Sequence, residues 1–534
     1  MNLRFVLYSL GKLLQIQALV LLVPSGISLW GLRPWSLPAT LWNERILGFI
    51  IAVVASFLTG TLLTMLGSND KEPGGVREGF AIVTFGWLLF TLYGSIPLFM
   101  HLLSHAPEAG FAAWFNAFTD ACFEIMSGFT TTGATILTDV ESLPRGILFW
   151  RSMTHWLGGM GIVTLAVVIF PAFGVAAYQM FRGEVPGPST ERLMPRVAQT
   201  ATVLWAVYVL LSVAETLLLM VGGMSLFDAL CHTFGTMATG GFSTRNASIA
   251  AYDSNFIDWV IVVFMFLAGT NFIIHYRILF AGDFGITKRN REFQFYLIAI
   301  LVAVGATTLL LQTQGIADRD TIASRYRSTS LTEEELDLKH GEESQRVRTP
   351  YHTLRYAAFQ VVSITTTTGY CTADFDVWPN FIRFMLVVLM FFGGCAGSTG
   401  GGMKMIRIMV VLKLAWREVR TMIQPRLIFP IKIGKSAVDE KQASNIVGFF
   451  VIFLLLFVLF TCIMSIMIPD FTTAVTTVVA TMCNIGPGLA GIGATENYAW
   501  IPPAGKWVLV LCMLLGRLEI YTVIIAFAPI SWKR

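Results

Sequence analysis

Four times along the chain a glycine-centred turn follows a short segment and precedes a long apolar one: TTTGAT around Gly133, MATGGF around Gly240, TTTTGYCT around Gly369 and CNIGPGL around Gly486. One such turn is compatible with a glycine that merely ends a helix. Four in the same setting, each needed once to close a ring, describe a single chain wound around one axis.

The rest of the composition says where that axis runs. Of 534 residues, 55% are hydrophobic and 13% charged, too little charge to solvate several soluble domains. Apolar stretches recur from end to end, roughly ten of them long enough to span about 30 Å of hydrocarbon. The stretch from Phe5 to Trp30 exceeds the apolar core of a secretory signal and lacks a small-residue cleavage pattern, so it reads as a retained helix. The seven cysteines have no CxxC spacing, which suits packed small side chains rather than a disulfide frame or zinc site. A net charge of +4 spread between spans is too mild to argue for nucleic acid, and none is expected as a partner.

The expected fold is an all-α polytopic membrane protein, with four pseudo-symmetric helix, pore loop, helix units and an N-terminal hairpin. The hairpin helices are placed near 3–31 and 45–67 within 1–77. The four units are 78–195, 196–291, 292–442 and 443–534, with short helices near 111–129, 225–237, 351–365 and 471–483. Irregular backbone at membrane depth is tolerated only where protein or water lines it. Connections opposite the turns carry Lys288, Arg289, Arg291, Arg417, Arg420, Arg426, Lys432, Lys435 and Lys441. The bias of basic residues toward the cytoplasm then places these connections and both termini, with Arg4, Lys12, Lys533 and Arg534, inside, and the turns open outward. The polar stretch 316–350 falls outside and reads as a solvated excursion.

A desolvated cation needs oxygen ligands, and a ring of backbone carbonyls supplies them where the chain turns its C=O groups toward one axis. Glycine permits the required positive φ. The ion-binding residues expected on this basis are Thr131, Thr132 and Gly133; Ala238, Thr239 and Gly240; Thr367, Thr368 and Gly369; and Asn484, Ile485 and Gly486. The carboxyl ends of the short helices add partial negative charge at the same place. No charged side chain lies within the turns, which favours a monovalent cation.

These segments resemble the TrkH/KtrB/HKT superfamily of potassium transporters, and its bacterial TrkH branch in particular. The resemblance rests on SGFTTTGATIL, ATGGFSTRN, TTTTGY, NIGPGL, GGCAGSTGGGMK at 393–404 and LGRLE at 515–519, together with the opening hairpin. It implies potassium uptake across the bacterial inner membrane, four glycines marking a selectivity filter, and potassium rather than sodium because Gly133 is not serine. It further implies a homodimer in membrane lipid, regulated by a TrkA-like cytosolic subunit that binds the nucleotide, with no cofactor in this chain. The basic segment 416–442 is the expected docking surface, with anionic lipid as the competing partner. The fourth turn departs from the pattern at Asn484 and Pro487, so the ring is pseudo-symmetric at best.

Between Phe392 and Met403 the chain reads GGCAGSTGGG. Interior glycines each cost a helix about 1 kcal/mol relative to alanine, so this run is expected to be a loop inside the membrane. A phosphate-binding loop would need GK followed by Ser or Thr, and Met403 follows Gly402. A flexible polar loop across a cation path can act as a gate, which assigns that role to Gly393, Gly394, Gly397, Ser398, Thr399, Gly400, Gly401 and Gly402; a structural hinge is the alternative. Arg517 lies inside the last apolar span, where arginine faces protein or a water-filled path, and the resemblance sets it at the constriction beside the loop.

Asp120, Glu124, Glu215 and Asp228 are expected to give structural support, and Asp374 and Asp376 to concentrate cations at the outer mouth. No HExxH, GxSxG or paired carboxylate set is present, so the chain is not expected to be an enzyme. His155, His232 and His275 are expected to pack. A sodium or non-selective transporter of the same fold stays open.

Overall fold

The computed structural model describes residues 1–29, 44–67, 75–105, 110–169, 197–325, 333–347, 349–426, 430–434 and 436–532. Lys435, Lys533 and Arg534, part of the topological expectation, lie outside these.

The chain opens with the helices Leu3–Leu29 and Glu44–Leu66, an apolar pair crossing at two glycines. A Cβ on Gly11 would stand 2.5 Å from the Gly60 carbonyl, and one on Gly60 would stand 2.8 Å from the Gly11 carbonyl. Backbones packed this closely gain dispersion contacts that lipid does not offer.

Four short helices follow, each carrying a turn at its C-terminus: Phe111–Phe129, Leu226–Met237, Pro350–Thr365 and Phe471–Met482. The last three begin at Ser225, Thr349 and Asp470, whose side chains accept from Asp228, His352 and Thr473 N–H groups. Such caps satisfy backbone donors that the first turn leaves without partners. The helix Arg145–Ile169 follows the first turn closely enough that a Cβ on Gly158 would meet the Phe129 carbonyl at 2.0 Å.

Among the described residues, six helices are long and apolar enough to cross a membrane, and eight if two bent pairs each count as one span. Of the roughly ten apolar stretches expected, one breaks at the glycine-rich run as its glycines imply, and two more break at their middle where no interruption was expected. Asn255–Ala268 and Phe272–Ala281 meet at 102°, and Pro503–Arg517 and Tyr521–Phe527 at 115°. Between them, Asn380–Met390 and Met405–Ile423 are separated by the glycine-rich run. One small antiparallel ladder, Lys432–Ile433 with Ser436–Ala437, lies in the basic connection.

The stretch 316–350 is not the free excursion its polarity suggests. It holds the helices Arg319–Arg325 and Glu333–Arg346, tied onto the segment that leaves the third turn. Arg325 donates to the carbonyls of Asp376 at 2.6 Å and Trp378 at 3.0 Å, and Arg346 to that of Thr372 at 2.8 Å. Lys339 bridges to Asp374 at 2.7 Å. The reason is that these backbone carbonyls lie in irregular chain and need donors from elsewhere.

Candidate cation pathway

Each short helix ends in the same backbone sequence. The residues that end it, Thr130, Ala238, Thr366 and Cys483, are followed by Thr131, Thr239, Thr367 and Asn484, with φ of 53°, 54°, 61° and 56°. Two residues later come Gly133, Gly241, Gly369 and Gly486, with φ of 79°, 79°, 81° and 95°. Three of the four non-glycine positions are threonine, for which positive φ is a strained, β-branched exception that its surroundings must enforce.

The enforcement is visible in the hydrogen bonds. The strained residues donate from N–H to Gly128, Thr236, Ile364 and Thr481 carbonyls. The residues after them, Thr132, Gly240, Thr368 and Ile485, donate to Ser127, Gly235, Ser363 and Ala480 at 2.7 to 2.9 Å. Four identical patterns give the register without appeal to residue type.

That register corrects the second turn by one residue. Gly241, not Gly240, is the counterpart of Gly133, Gly369 and Gly486; Gly240 occupies the position of Thr132, and Ala238 is the helix end. Gly240 does not take positive φ, and a Cβ on it would run into the His155 ring at 2.5 Å.

The turns close on one another in chain order. A Cβ on Gly133 would meet the Gly240 carbonyl oxygen at 2.1 Å, on Gly241 that of Thr368 at 2.1 Å, on Gly369 that of Ile485 at 1.9 Å, and on Gly486 that of Thr132 at 2.7 Å. Each glycine thus makes room for the carbonyl preceding the glycine of the next turn. A cavity of about 150 Å³ opens on one side, lined by all four glycines and by Arg151, Glu496 and Tyr498.

The buried charged side chains beside the first two turns are paired with one another or with the backbone. Glu124, fully buried, takes Arg151 at 2.5 Å and the Ile136 N–H at 2.9 Å. Arg151 also donates to the Ser243 carbonyl at 2.9 Å and lies 3.6 Å from the Phe242 ring centre. His155 stacks on the same ring at 4.1 Å. Its Nδ1 lies 2.7 Å from the Gly128 carbonyl and its Nε2 3.2 Å from the Phe242 N–H. The first contact requires a proton on Nδ1 and the second a lone pair on Nε2, so the imidazole is neutral in one tautomer.

Asp120 meets Lys506 at 2.6 Å, Asp228 takes the Thr244 hydroxyl at 2.7 Å, and Glu215 is buried without an ion-pair partner among the described residues. Asp374 and Asp376 do not serve the outer mouth as expected: both are buried, held by Lys339 and by Arg383 with the Ala490 N–H. Carboxylates paired in this way, as Asp120, Asp374 and Asp376 are, project little net charge beyond the pair.

The glycine-rich run lies on the other side of the ring. Its Gly401 N–H donates to the Thr367 hydroxyl at 2.7 Å, and the Thr399 hydroxyl to the carbonyls of Met237 at 3.0 Å and Ala268 at 3.2 Å. Its base is closed by Gly393 N–H to Met403 carbonyl at 2.8 Å and Met403 N–H to Phe391 carbonyl at 3.2 Å. Cys395 N–H reaches Gly269, and Gly397 carbonyl accepts from Phe272, so the run sits in the break between Asn255–Ala268 and Phe272–Ala281. Gly394, Ser398, Gly400 and Gly402 complete it, and Lys404 donates to the Gly400 carbonyl. Arg517 joins it to the first unit, donating to Thr399 carbonyl at 2.7 Å and Gly158 carbonyl at 2.8 Å. The nearby Glu519 pairs instead with Arg407 at 2.5 Å.

Asn271, Glu292 and Arg407 belong to this assembly and were not among the residues singled out from sequence. Asn271 caps the half-helix after the bend by accepting from Ile273 N–H, a signal readable in the sequence GTN; the other two carry no local signal.

Comparison with known proteins agrees with this architecture. The family model described as TrkH, cation transport protein, matches residues 46–534. The Trk system potassium uptake protein TrkH of Halomonas elongata is 38% identical over 537 residues, covering 100% of both chains. The Escherichia coli K12 protein of that name is 38% identical over 469 residues, covering 87% of this chain and 88% of its own. The crystal structure of the potassium transporter TrkH from Vibrio parahaemolyticus superposes with a TM-score of 0.80 at 31% identity, covering 100% of both chains.

Proposed function

Since this chain belongs to the TrkH family of cation transport proteins, we propose that it takes up potassium across the bacterial inner membrane through the ring of four turns. The single observation that carries this reading is the closed ring, in which Gly133, Gly241, Gly369 and Gly486 each accommodate a carbonyl of the next turn. Neutral backbone oxygens replace the hydration of a monovalent cation without the tight hold of a carboxylate ring. The ligating stretches are 131–133, 239–241, 367–369 and 484–486, and potassium is the substrate rather than a resident cofactor. The four units 78–195, 196–291, 292–442 and 443–534 each contribute one turn.

The run 393–402, with Arg517, is the gate. It crosses the axis next to the ring's helix ends, and its glycines let it yield by a modest shift. Arg517 adds positive charge on that axis, which discourages a cation while the loop is closed. Both termini face the cytoplasm, and the protein works as a homodimer regulated from that side by a TrkA-like nucleotide-binding subunit docked on 416–442.

The test is flux in proteoliposomes under potassium or sodium gradients. Potassium preference that weakens in Gly241→Ser, with the protein still folded, supports the ring; equal flux of the two ions in the parent would favour a non-selective carrier of the same fold.

A further inference from the structure

Glu292 stands in the first turn of the helix Arg291–Gln314 and is 6% exposed. Its Oε1 accepts from the Ala396 N–H at 2.7 Å and from the Ile406 N–H at 3.1 Å. Ala396 lies in the glycine-rich run, and Ile406 is the second residue of the helix Met405–Ile423. One carboxylate oxygen therefore fastens both limbs of the loop to a different span.

Two physical terms make this attachment strong. The helix Met405–Ile423 has Lys404 at its cap position and no side-chain cap of its own, so Glu292 supplies the missing acceptor from another helix. A carboxylate at a helix N-terminus also meets the positive end of the helix dipole. Buried as it is, Glu292 depends on those two donors in turn, because a carboxylate without hydrogen bonds in apolar surroundings is heavily penalised.

We propose that Glu292 is a positioning residue that latches the intramembrane loop in its closed place, Arg517 holding the loop's middle and Glu292 its two limbs. The inference rests on the reading of the loop as the gate. Its consequence is a mechanical route: Glu292 follows Arg291 directly, so displacement of the link 282–291 reaches the loop through one shared acceptor. A glutamine at 292 keeps a carbonyl oxygen able to accept from both N–H groups, whereas alanine removes the acceptor.

The test uses the full-length chain in proteoliposomes, with potassium and sodium fluxes measured separately for Glu292→Ala, Glu292→Gln, Arg517→Ala and the double Glu292→Ala/Arg517→Ala. Glu292→Ala is expected to raise basal potassium flux roughly tenfold, the scale of one charge-assisted hydrogen bond, with the potassium-to-sodium ratio unchanged. Glu292→Gln should stay near the parent, and the double variant should be no leakier than the leakier single one. Labelling by a membrane-impermeant maleimide, located by peptide mass spectrometry, gives a second readout: Cys395, 1% exposed within the loop, should become reactive in Glu292→Ala while Cys483 and Cys512 stay protected. Parent-like flux and a protected Cys395 in Glu292→Ala, with Arg517→Ala leaky, would overturn the latch and leave the gate standing. If neither single variant leaks, the gate reading itself falls. Labelling of Cys483 and Cys512 alongside Cys395, or a Glu292→Gln as leaky as Glu292→Ala, would also overturn the latch as described.

Discussion

Arg517 reaches from the last apolar helix to Thr399, donating to its carbonyl at 2.7 Å while a second guanidinium nitrogen donates to Gly158 at 2.8 Å. The last unit thereby ties the intramembrane loop to the first. A planar fork with fixed donors suits two carbonyls at once, and lysine cannot reproduce it.

Replacing Arg517 by alanine should raise basal cation flux about tenfold or more, the loss of a hydrogen bond from a charged donor setting the scale. Arg517→Lys should fall between alanine and the parent. Shortening 393–402 should act at the same constriction, so combining it with Arg517→Ala should give less than the sum of the two changes. Flux assays on the single and combined variants decide this; additive increases would separate the loop from the arginine.

The second turn offers a test of register. A Cβ at residue 240 would strike the His155 ring, whereas a Cβ at 241 would strike the Thr368 carbonyl inside the ring. Gly240→Ala should therefore add little to a His155→Ala background, and Gly241→Ala should lower potassium preference in either background. If Gly240→Ala damages selectivity equally with and without His155, the one-residue correction is wrong.

How much of this was readable from the chain depends on which residues carried a local signal. The turns at Gly133, Gly369 and Gly486 were legible because no second glycine adjoins the one that turns, after a threonine run in the first two and after Asn484 and Ile485 in the last. In ATGGF two adjacent glycines compete, and only the backbone says which takes positive φ; that is why the second turn was misplaced. The loop 393–402 announced itself by glycines where a helix was due. The bends at 269–271 and 518–520 did not: the second is made by Glu519 and Ile520, both at positive φ without any glycine, a conformation imposed by tertiary contacts. Glu292 carries no local signal because its two partners lie more than a hundred residues away.

The buried pair of Glu124 and Arg151 spans the first short helix and the helix behind it. Glu124→Ala should destabilise the protein by about 3 to 5 kcal/mol, since an uncompensated buried arginine remains. Glu124→Ala/Arg151→Met should recover part of that loss. Thermal unfolding of detergent-solubilised protein checks it, and a double variant less stable than Glu124→Ala would show that Arg151 contributes chiefly through Ser243 and Phe242.

Glu343, in the polar helix Glu333–Arg346, is buried with one carboxylate oxygen lacking a hydrogen-bond partner. Burial raises its pKa to about 7, Arg346 and Lys339 opposing the shift and Asp374 adding to it. Because the docked value is raised above the ordinary 4.5, the contribution to docking is fully present below the ordinary value and is lost as pH rises through about 7. Amide exchange in 333–346, corrected for its intrinsic pH dependence, should be slower at low pH than at high pH. Glu343→Gln should flatten that difference, and an unchanged pH profile in Glu343→Gln would assign it to another group.

The most direct measurement of the central claim is the ratio of potassium to sodium flux through purified protein in liposomes, for the parent and for Gly133→Ser. A serine side chain at residue 133 must fit where a Cβ would stand 2.1 Å from the Gly240 carbonyl, so it displaces one oxygen of the ring. The account predicts a clear potassium preference in the parent and a reduced one in the folded variant. A parent without preference, or a variant with the parent's ratio, would contradict the assignment of the four turns to ion selection.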